Sequence, residues 1–316
     1  MYTEIPPTPV DELTRTEGLW FEDCGLIIQA ETKLFRHGVS RDFLAMRSPV
    51  FGDMLSMPIP ENAEMMEGCP FVHLPDSAKD ITHFLKAMIY SEFFESVPAK
   101  TSFDIIAGVL RMSHKYEVDV LRKRALIHLS SRYPTTLHGW DTMQLACTWY
   151  HDTPSQYLEA ILLARQTSAL WILPIAFYCA CTRLDLEDII TGLGGHTLDA
   201  QDMVACVQGV RYLDTRATSE ILNFLWSPAS RCEFPVDCMA ERLEHRRDAE
   251  DWRNSHISPL DIWDEDDLHN LPVCDACRSQ MKPVHQLARE SLWDHLPAIF
   301  HLPSWEELVQ MKVKAL

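Results

Sequence analysis

The sequence predicts an α+β N-terminal region, a small sheet flanked by helices, followed by an all-α C-terminal region. Three observations predict it. Short β-rich apolar runs bounded by turn residues fill the chain before Pro75. The apolar residues between 105 and 129 change phase at Tyr116, as two helices meeting at a turn would. From Thr135 onward, helical periodicity recurs with only short Gly, Pro or Asp interruptions.

Leu19-Trp20-Phe21, Leu26-Ile27-Ile28 and Leu34-Phe35 read as strands broken at residues 23–25 and 31–33, which gives a hairpin-like opening. Ser77 with Asp80 forms a capping box for a helix through Phe84, Leu85 and Met88. Leu110, Met112 and Tyr116 close the next helix. Val118, Leu121, Ala125 and Leu129 then recur at spacings of three and four, the one-faced stripe of a packed helix, with Arg122, Lys123 and Arg124 mostly off it.

At this point the residues resemble a known family. His114-Lys115-Tyr116, followed by Leu121 and a helix, resembles the C-terminal helical hairpin of a BTB/POZ domain. Residues 43–55, with Leu44, Ser48, Phe51 and Met54, resemble that family's pair of short helices, and residues 68–76 resemble its third strand. The resemblance covers about residues 17–133 and is closest to fungal BTB proteins with long helical extensions. One departure stands out: the histidine usual after the second strand falls early, at His37, with Ser40 at the aligned position. The acid–base pair that some relatives build on Asp23 would then need Arg41, whose other reading is an exposed charge at a helix entry.

The resemblance implies an interaction module rather than an enzyme. It implies a homodimer, with Leu19, Phe21 and Met54 available to a partner. It also implies recruitment, either of a cullin-type ubiquitin ligase to which the chain brings substrates, or of transcriptional or chromatin corepressors with DNA contact supplied by other proteins. Met65-Met66-Glu67 fits the hydrophobic-x-Glu pattern of some cullin adaptors; a solvated loop fits it too.

The domain organisation that follows is a flexible N-terminus at 1–16, a BTB/POZ-like domain at 17–133, a helical region resembling a BACK domain at 137–226, and a cysteine-containing helical region at 230–316. In the helical region Thr153-Pro154 is an N-cap and first-turn pair ahead of Tyr157, Leu158 and Ile161. Further helices are expected at 171–181, 184–190, 198–212 and 218–226, separated by Pro174, the glycines of 192–195 and Asp214. Gly192-Leu193-Gly194-Gly195 neither follows a strand nor precedes a lysine, so it ends a helix and does not cradle phosphate.

Composition sets the compartment and limits the partners. The chain has 316 residues, 47% hydrophobic and 23% charged, enough for two or three cores. Residues 1–10 carry no basic segment or apolar run of a secretion signal, so the ten cysteines are expected reduced, in cytoplasm or nucleus. The net charge is −18 and most of the excess lies in residues 136–316. Direct nucleic-acid binding is not expected: the basic clusters, Arg122–Arg124 and Arg242 with His245 to Arg247, are short and read as solvated helix faces. No apolar stretch reaches the length of a membrane span. The acidic run at 261–267 lacks the glycine and ligand spacing of a calcium loop and reads as a solvated helix.

One constellation carries metal chemistry. Cys274-Asp275-Ala276-Cys277 has the two-residue spacing that lets both thiolates reach one tetrahedral ion, and Cys232 with Cys238 offers a second pair. Four thiolates would close the shell around a structural zinc. His245, His256, His269 and His285 are reserve ligands. Ordinary buried cysteines are the other reading, and spacing leaves both open. Beyond the knuckle, residues 291–297 and 302–308 resemble the ending of those fungal BTB proteins; Ser304 and Glu307 form a capping box for a helix to about Lys314. Trp293, Phe300 and Trp305 are expected to pack this end onto the cysteine-bearing segment.

Nothing points to catalysis. No Gly-x-Ser-x-Gly elbow, paired-histidine zinc helix or phosphate loop is present, and His114 reads as a packed core histidine. The sequence therefore predicts a non-enzymatic scaffold.

Overall fold

The computed structural model describes residues 13–21, 25–36, 41–57, 64–226, 229–253, 259–261 and 265–316. Asp23, His37, Ser40 and His256 lie outside them, as do Ile262, Trp263 and Asp264 of the acidic run. Two compact units form. One contains the chain up to Arg132 together with Ala146–Tyr150; the other contains Tyr133–Leu145 and His151–Ala315.

The N-terminal unit is built on five strands: β1 (Thr14–Trp20), β2 (Ile27–Ala30), β3 (Lys33–Arg36), β4 (Met65–Met66) and β5 (Cys69–Leu74), in the order β1-β3-β2-β5-β4. The hairpin is β2–β3, antiparallel and turned at Glu31 with φ 50. Strand β1 runs parallel to β3 and starts at Thr14, inside the stretch expected to be flexible. The β2–β5 pair is also parallel, which needs a crossover, and α1 (Arg41–Arg47) and α2 (Pro49–Ser56) supply it. Every residue of β2 is buried, as a strand with neighbours on both sides should be. Glu67 and Gly68, both at positive φ, turn β4 into β5.

Three longer helices complete the unit: α3 (Ala78–Ile89), α4 (Phe103–Lys115) and α5 (Asp119–Arg132). Ser48 connects the two ends of the resemblance. Its hydroxyl accepts from the Phe51 N–H at 3.1 Å, capping α2, and donates to the Tyr116 carbonyl at 2.5 Å. Phe51 stacks on the Tyr116 ring at 4.5 Å, and the tyrosine hydroxyl donates to Asp76 at 2.6 Å. On α5, Leu121, Ala125 and Leu129 are buried on the face that the periodicity predicted. Only half of the Ser77 capping box forms. The Ser77 hydroxyl accepts from the Asp80 N–H at 3.3 Å, but the Asp80 carboxylate is turned to Arg111 at 3.1 Å. Ala146–Tyr150, expected within the helical continuation, belongs to this unit: Thr148 Oγ1 faces His128 Nδ1 at 2.9 Å and the Trp149 indole donates to the His128 carbonyl.

The C-terminal unit is helical. Its elements are α6 (Leu137–Asp141), α7 (Met143–Ala146, whose last residue falls in the other unit), α8 (Ser155–Gln166), α9 (Leu173–Arg183), α10 (Leu186–Thr191), α11 (Ala200–Tyr212), α12 (Thr218–Ile221), α13 (Pro235–Arg253), α14 (Glu265–Asn270), α15 (Asp275–Ile299) and α16 (Trp305–Ala315). Thr153 does not cap α8; its hydroxyl meets Ser155 Oγ at 2.9 Å. Pro174 opens α9 after a 3-10 turn rather than breaking it. Gly192, at φ 86, ends α10 as expected. Asp199 caps α11 at Asp202 N, and the Asp202 carboxylate, 1% exposed, takes two bonds from Arg165 at 2.5 and 3.1 Å.

The C-terminal aromatics meet the expectation in part, since Trp293 lies on α15, the helix that carries Cys277. Trp305 lies parallel to Trp293 at 5.3 Å and donates its indole N–H to the Trp293 carbonyl, but Phe300 stacks on Phe177 of α9 at 5.2 Å. Gly209 of α11 admits that ring, since a Cβ there would lie 2.4 Å from Phe300 Cε1. The Ser304–Glu307 box forms in both directions, at 3.0 and 3.4 Å. A second correction concerns the basic cluster on α13. Arg242 and Arg246 are buried, not solvated, and donate to the carbonyls of Phe224 and Leu222; a guanidinium keeps its charge and therefore takes backbone acceptors inside. Among the described residues, no helix is long and apolar enough to cross a membrane.

Candidate metal centre

Two helix starts bring the four cysteines together. Cys232 sits in the turn ahead of α13, and Pro235 opens that helix so that Cys238 lies in its first turn. Cys274 is the N-cap of α15, with extended φ −64 and ψ 158, and Cys277 follows within that helix's first turn. The Cys-x-x-Cys spacing thus spans from cap to first turn, which aims both sulfurs to one side. Arg278 braces the approach, donating to the carbonyls of Leu271 and Val273 at 3.2 Å each and to Asp275 at 3.0 Å.

The four Sγ atoms all lie within 4.8 Å of one another, and Cys232 and Cys274 are 3.9 Å apart. A tetrahedral ion with Zn–S bonds of about 2.3 Å sets an S···S edge of about 3.8 Å. The recorded pair already matches that edge, and the widest separation needs a contraction of about 1 Å shared between two side chains. Cys238 and Cys277 are 3% and 0% exposed, whereas Cys232 and Cys274 are half-buried. The site therefore has an inner and an outer pair.

Backbone N–H groups point at the sulfurs. Those of Glu233 and Cys277 donate to Cys274, that of Phe234 to Cys232, and that of Cys274 to Cys238 at 3.4 Å. Such donors hold thiolate charge in place. They pull the Cys274 thiol down to about 6, the Glu233 N–H first among them, while desolvation pushes Cys232 up to about 12. Metal binding needs thiolates, so a divalent cation entering the cluster would displace the thiol protons that remain. The donor set is all sulfur, which suits zinc.

The other residues singled out by sequence are dispersed. His245 Nδ1 faces the Glu241 carbonyl at 2.9 Å, His269 is exposed on α14, and buried His285 packs on Phe224, so these reserve ligands stay out of the cluster. In the N-terminal unit Leu19 is fully buried and so presents no surface to a partner; Phe21 and Met54 are half-buried. Met65 is 54% exposed, but the Glu67 carboxylate is held by Arg15 at 2.6 Å. His114 is half-buried, and its pKa is lowered first by burial and then by Arg122. Arg41 donates to the Leu55 carbonyl at 2.7 Å, an anchoring role within its helix pair. What sequence reasoning missed at the centre is the brace. An arginine directly after a Cys-x-x-Cys is its only sequence signal, because the carbonyls it grips carry none.

No protein-family model matches the chain, and no curated protein or solved structure is significantly similar to it.

Proposed function

We propose that the chain is a non-enzymatic protein–protein interaction scaffold whose C-terminal unit is held by one structural zinc. The observation that carries this reading is the four-thiol cluster. Four protein ligands fill a tetrahedral shell and leave no position for water or substrate, so the ion would tie two helix starts together and catalyse nothing. Reduced thiols at that site call for cytoplasm or nucleus.

The N-terminal unit would supply self-association. Its element order and the Ser48–Phe51–Tyr116 contact support the BTB/POZ-like reading, in which such domains form twofold dimers. A cullin-type ligase is the first partner class, resting on exposed Met65 beside Glu67. The Arg15–Glu67 ion pair occupies the carboxylate that this contact would use, and so favours keeping a corepressor scaffold as the second class.

Light scattering of the full chain at roughly tens of micromolar, the range in which a micromolar interface is populated, should report a dimer. A monomer there would overturn self-association. Affinity purification should then return a cullin under the first partner class or chromatin factors under the second, and turnover of a substrate by the pure chain would sink the non-enzymatic reading.

A further inference from the structure

We propose that the thiol centre is an oxidant-gated zinc site, in which hydrogen peroxide or a related two-electron oxidant joins Cys232 to Cys274 as a disulfide and expels the ion. This rests on the reading that the four cysteines hold zinc. Two features of the geometry set the gate. Cys232 and Cys274 are the outer, half-buried sulfurs and lie 3.9 Å apart, while Cys238 and Cys277 are closed off from solvent. An oxidant arriving from solvent reaches the outer pair first. Their approach to a disulfide length of about 2.05 Å needs a movement of about 2 Å, and neither sulfur lies inside a helix: Cys232 is in a turn and Cys274 is a helix cap.

The chemistry balances within the site. One outer thiolate attacks peroxide, breaking the O–O bond and becoming a sulfenic acid with loss of hydroxide. The second outer thiolate attacks that sulfur and releases a second hydroxide. The two thiolates are oxidised by two electrons, peroxide is reduced to two hydroxides, and two protons from solvent convert these to water. The inner thiolates of Cys238 and Cys277 remain. Two ligands cannot keep a tetrahedral ion against water, so the zinc leaves. The residues joined are 42 apart, so the oxidised chain keeps a covalent tie between the starts of α13 and α15 where the metal had been.

Among the described residues, Cys69, Cys147, Cys179 and Cys206 are buried and closed to an oxidant from solvent. Cys181 donates to the Cys206 carbonyl at 3.4 Å, and its thiol is pushed up, first by its contact with Cys206 and then by burial, which leaves it in the unreactive protonated form.

The test uses the full chain, purified without a histidine tag or chelator. Its zinc content is measured first, and the protein is then treated with stoichiometric hydrogen peroxide in the presence of a chromogenic chelator. Release of one zinc per chain, a Cys232–Cys274 disulfide in the peptide map, and recovery of the ion with a dithiol and added zinc are expected. Zinc retained under peroxide, or a disulfide that pairs the inner cysteines instead, overturns the gate and leaves the structural zinc standing. A protein with no zinc before treatment overturns both. The variant Cys181→Ser should release zinc as fast as the parent; slower release would move the reactive thiol away from the centre and sink the proposal.

Discussion

Replacing Cys274 with serine separates a metal-binding role from helix capping. Cys274 is the N-cap of α15 and its side chain makes no capping hydrogen bond. Serine is among the residues preferred there, so Cys274→Ser is neutral or favourable for the helix itself. What it removes is one thiolate of the proposed zinc site. The link lost joins residues 42 apart, and constraining a loop of that length is worth about 4 kcal/mol in the chain-entropy estimate used for cross-links. Metal–ligand bonding adds to this, since structural zinc contributes on the order of 10 kcal/mol to the peptides it folds. A loss of about 4 kcal/mol is a large fraction of a domain's stability, and corresponds to about three orders of magnitude in the opening equilibrium. Hydrogen exchange should therefore accelerate by about that factor over residues 271–281 at the start of α15, with residues 292–299 at its far end and residues 103–132 of the other unit unchanged, and elemental analysis should show less than one zinc per chain. Unchanged exchange in the variant, or a parent protein free of zinc, would return the cysteines to ordinary core residues.

Other outcomes follow from the packing. Gly209→Ala forces a methyl group into the Phe300 ring and should cost about 1–3 kcal/mol, read as a lower urea midpoint; no change would mean that the Phe177–Phe300 stack yields freely. Asp202→Asn leaves Arg165 facing a neutral partner beside a buried amide and should lower stability by about 1–3 kcal/mol, less than a fully buried pair because the arginine is a third exposed. His128 is held neutral, its pKa lowered first by burial, between Thr148 Oγ1 and the Glu95 carbonyl. The folded state then binds fewer protons than the unfolded one, so stability is full above about 6.5 and falls as pH drops below it. His128→Gln should flatten the midpoint between neutral and mildly acidic pH, and an unaltered slope would assign it elsewhere.

Much of the N-terminal unit is legible because its determinants are local. The α4–α5 turn is written in the phase change at Tyr116, whereas α2 is reached only through the family resemblance, although its Ser48 cap and Pro49 first turn are local chemistry. What the residues do not announce is pairing across distance. Leu19-Trp20 says strand, but nothing in it says parallel to β3, since a strand's composition reports burial and not its neighbour's direction. Asp80 fails as a capping residue for the same reason: Arg111, 31 residues on, competes for its carboxylate and wins through charge. Buried Arg242 and Arg246 escape a sequence reading because a charged residue on a helix is solvated by default, and the carbonyls that satisfy these two belong to residues 222 and 224.

The cysteine cluster divides along the same line. Each cysteine pair is a local fact, two sulfurs placed by a turn entering a helix. Their meeting is not local, because 36 residues separate Cys238 from Cys274, and the intervening chain has no motif that dictates its return. What brings it back is ordinary packing of α15 on the body of the unit, through Leu292, Leu296 and Phe300. The knuckle is therefore placed by the hydrophobic end of its helix, well away from the sulfurs. Zinc would lock an arrangement that apolar burial had already assembled, so losing the ion should loosen the start of α15 while its Phe300 end stays docked. That gradient separates a staple from a folding nucleus: a metal that nucleated folding would take the whole helix with it when removed.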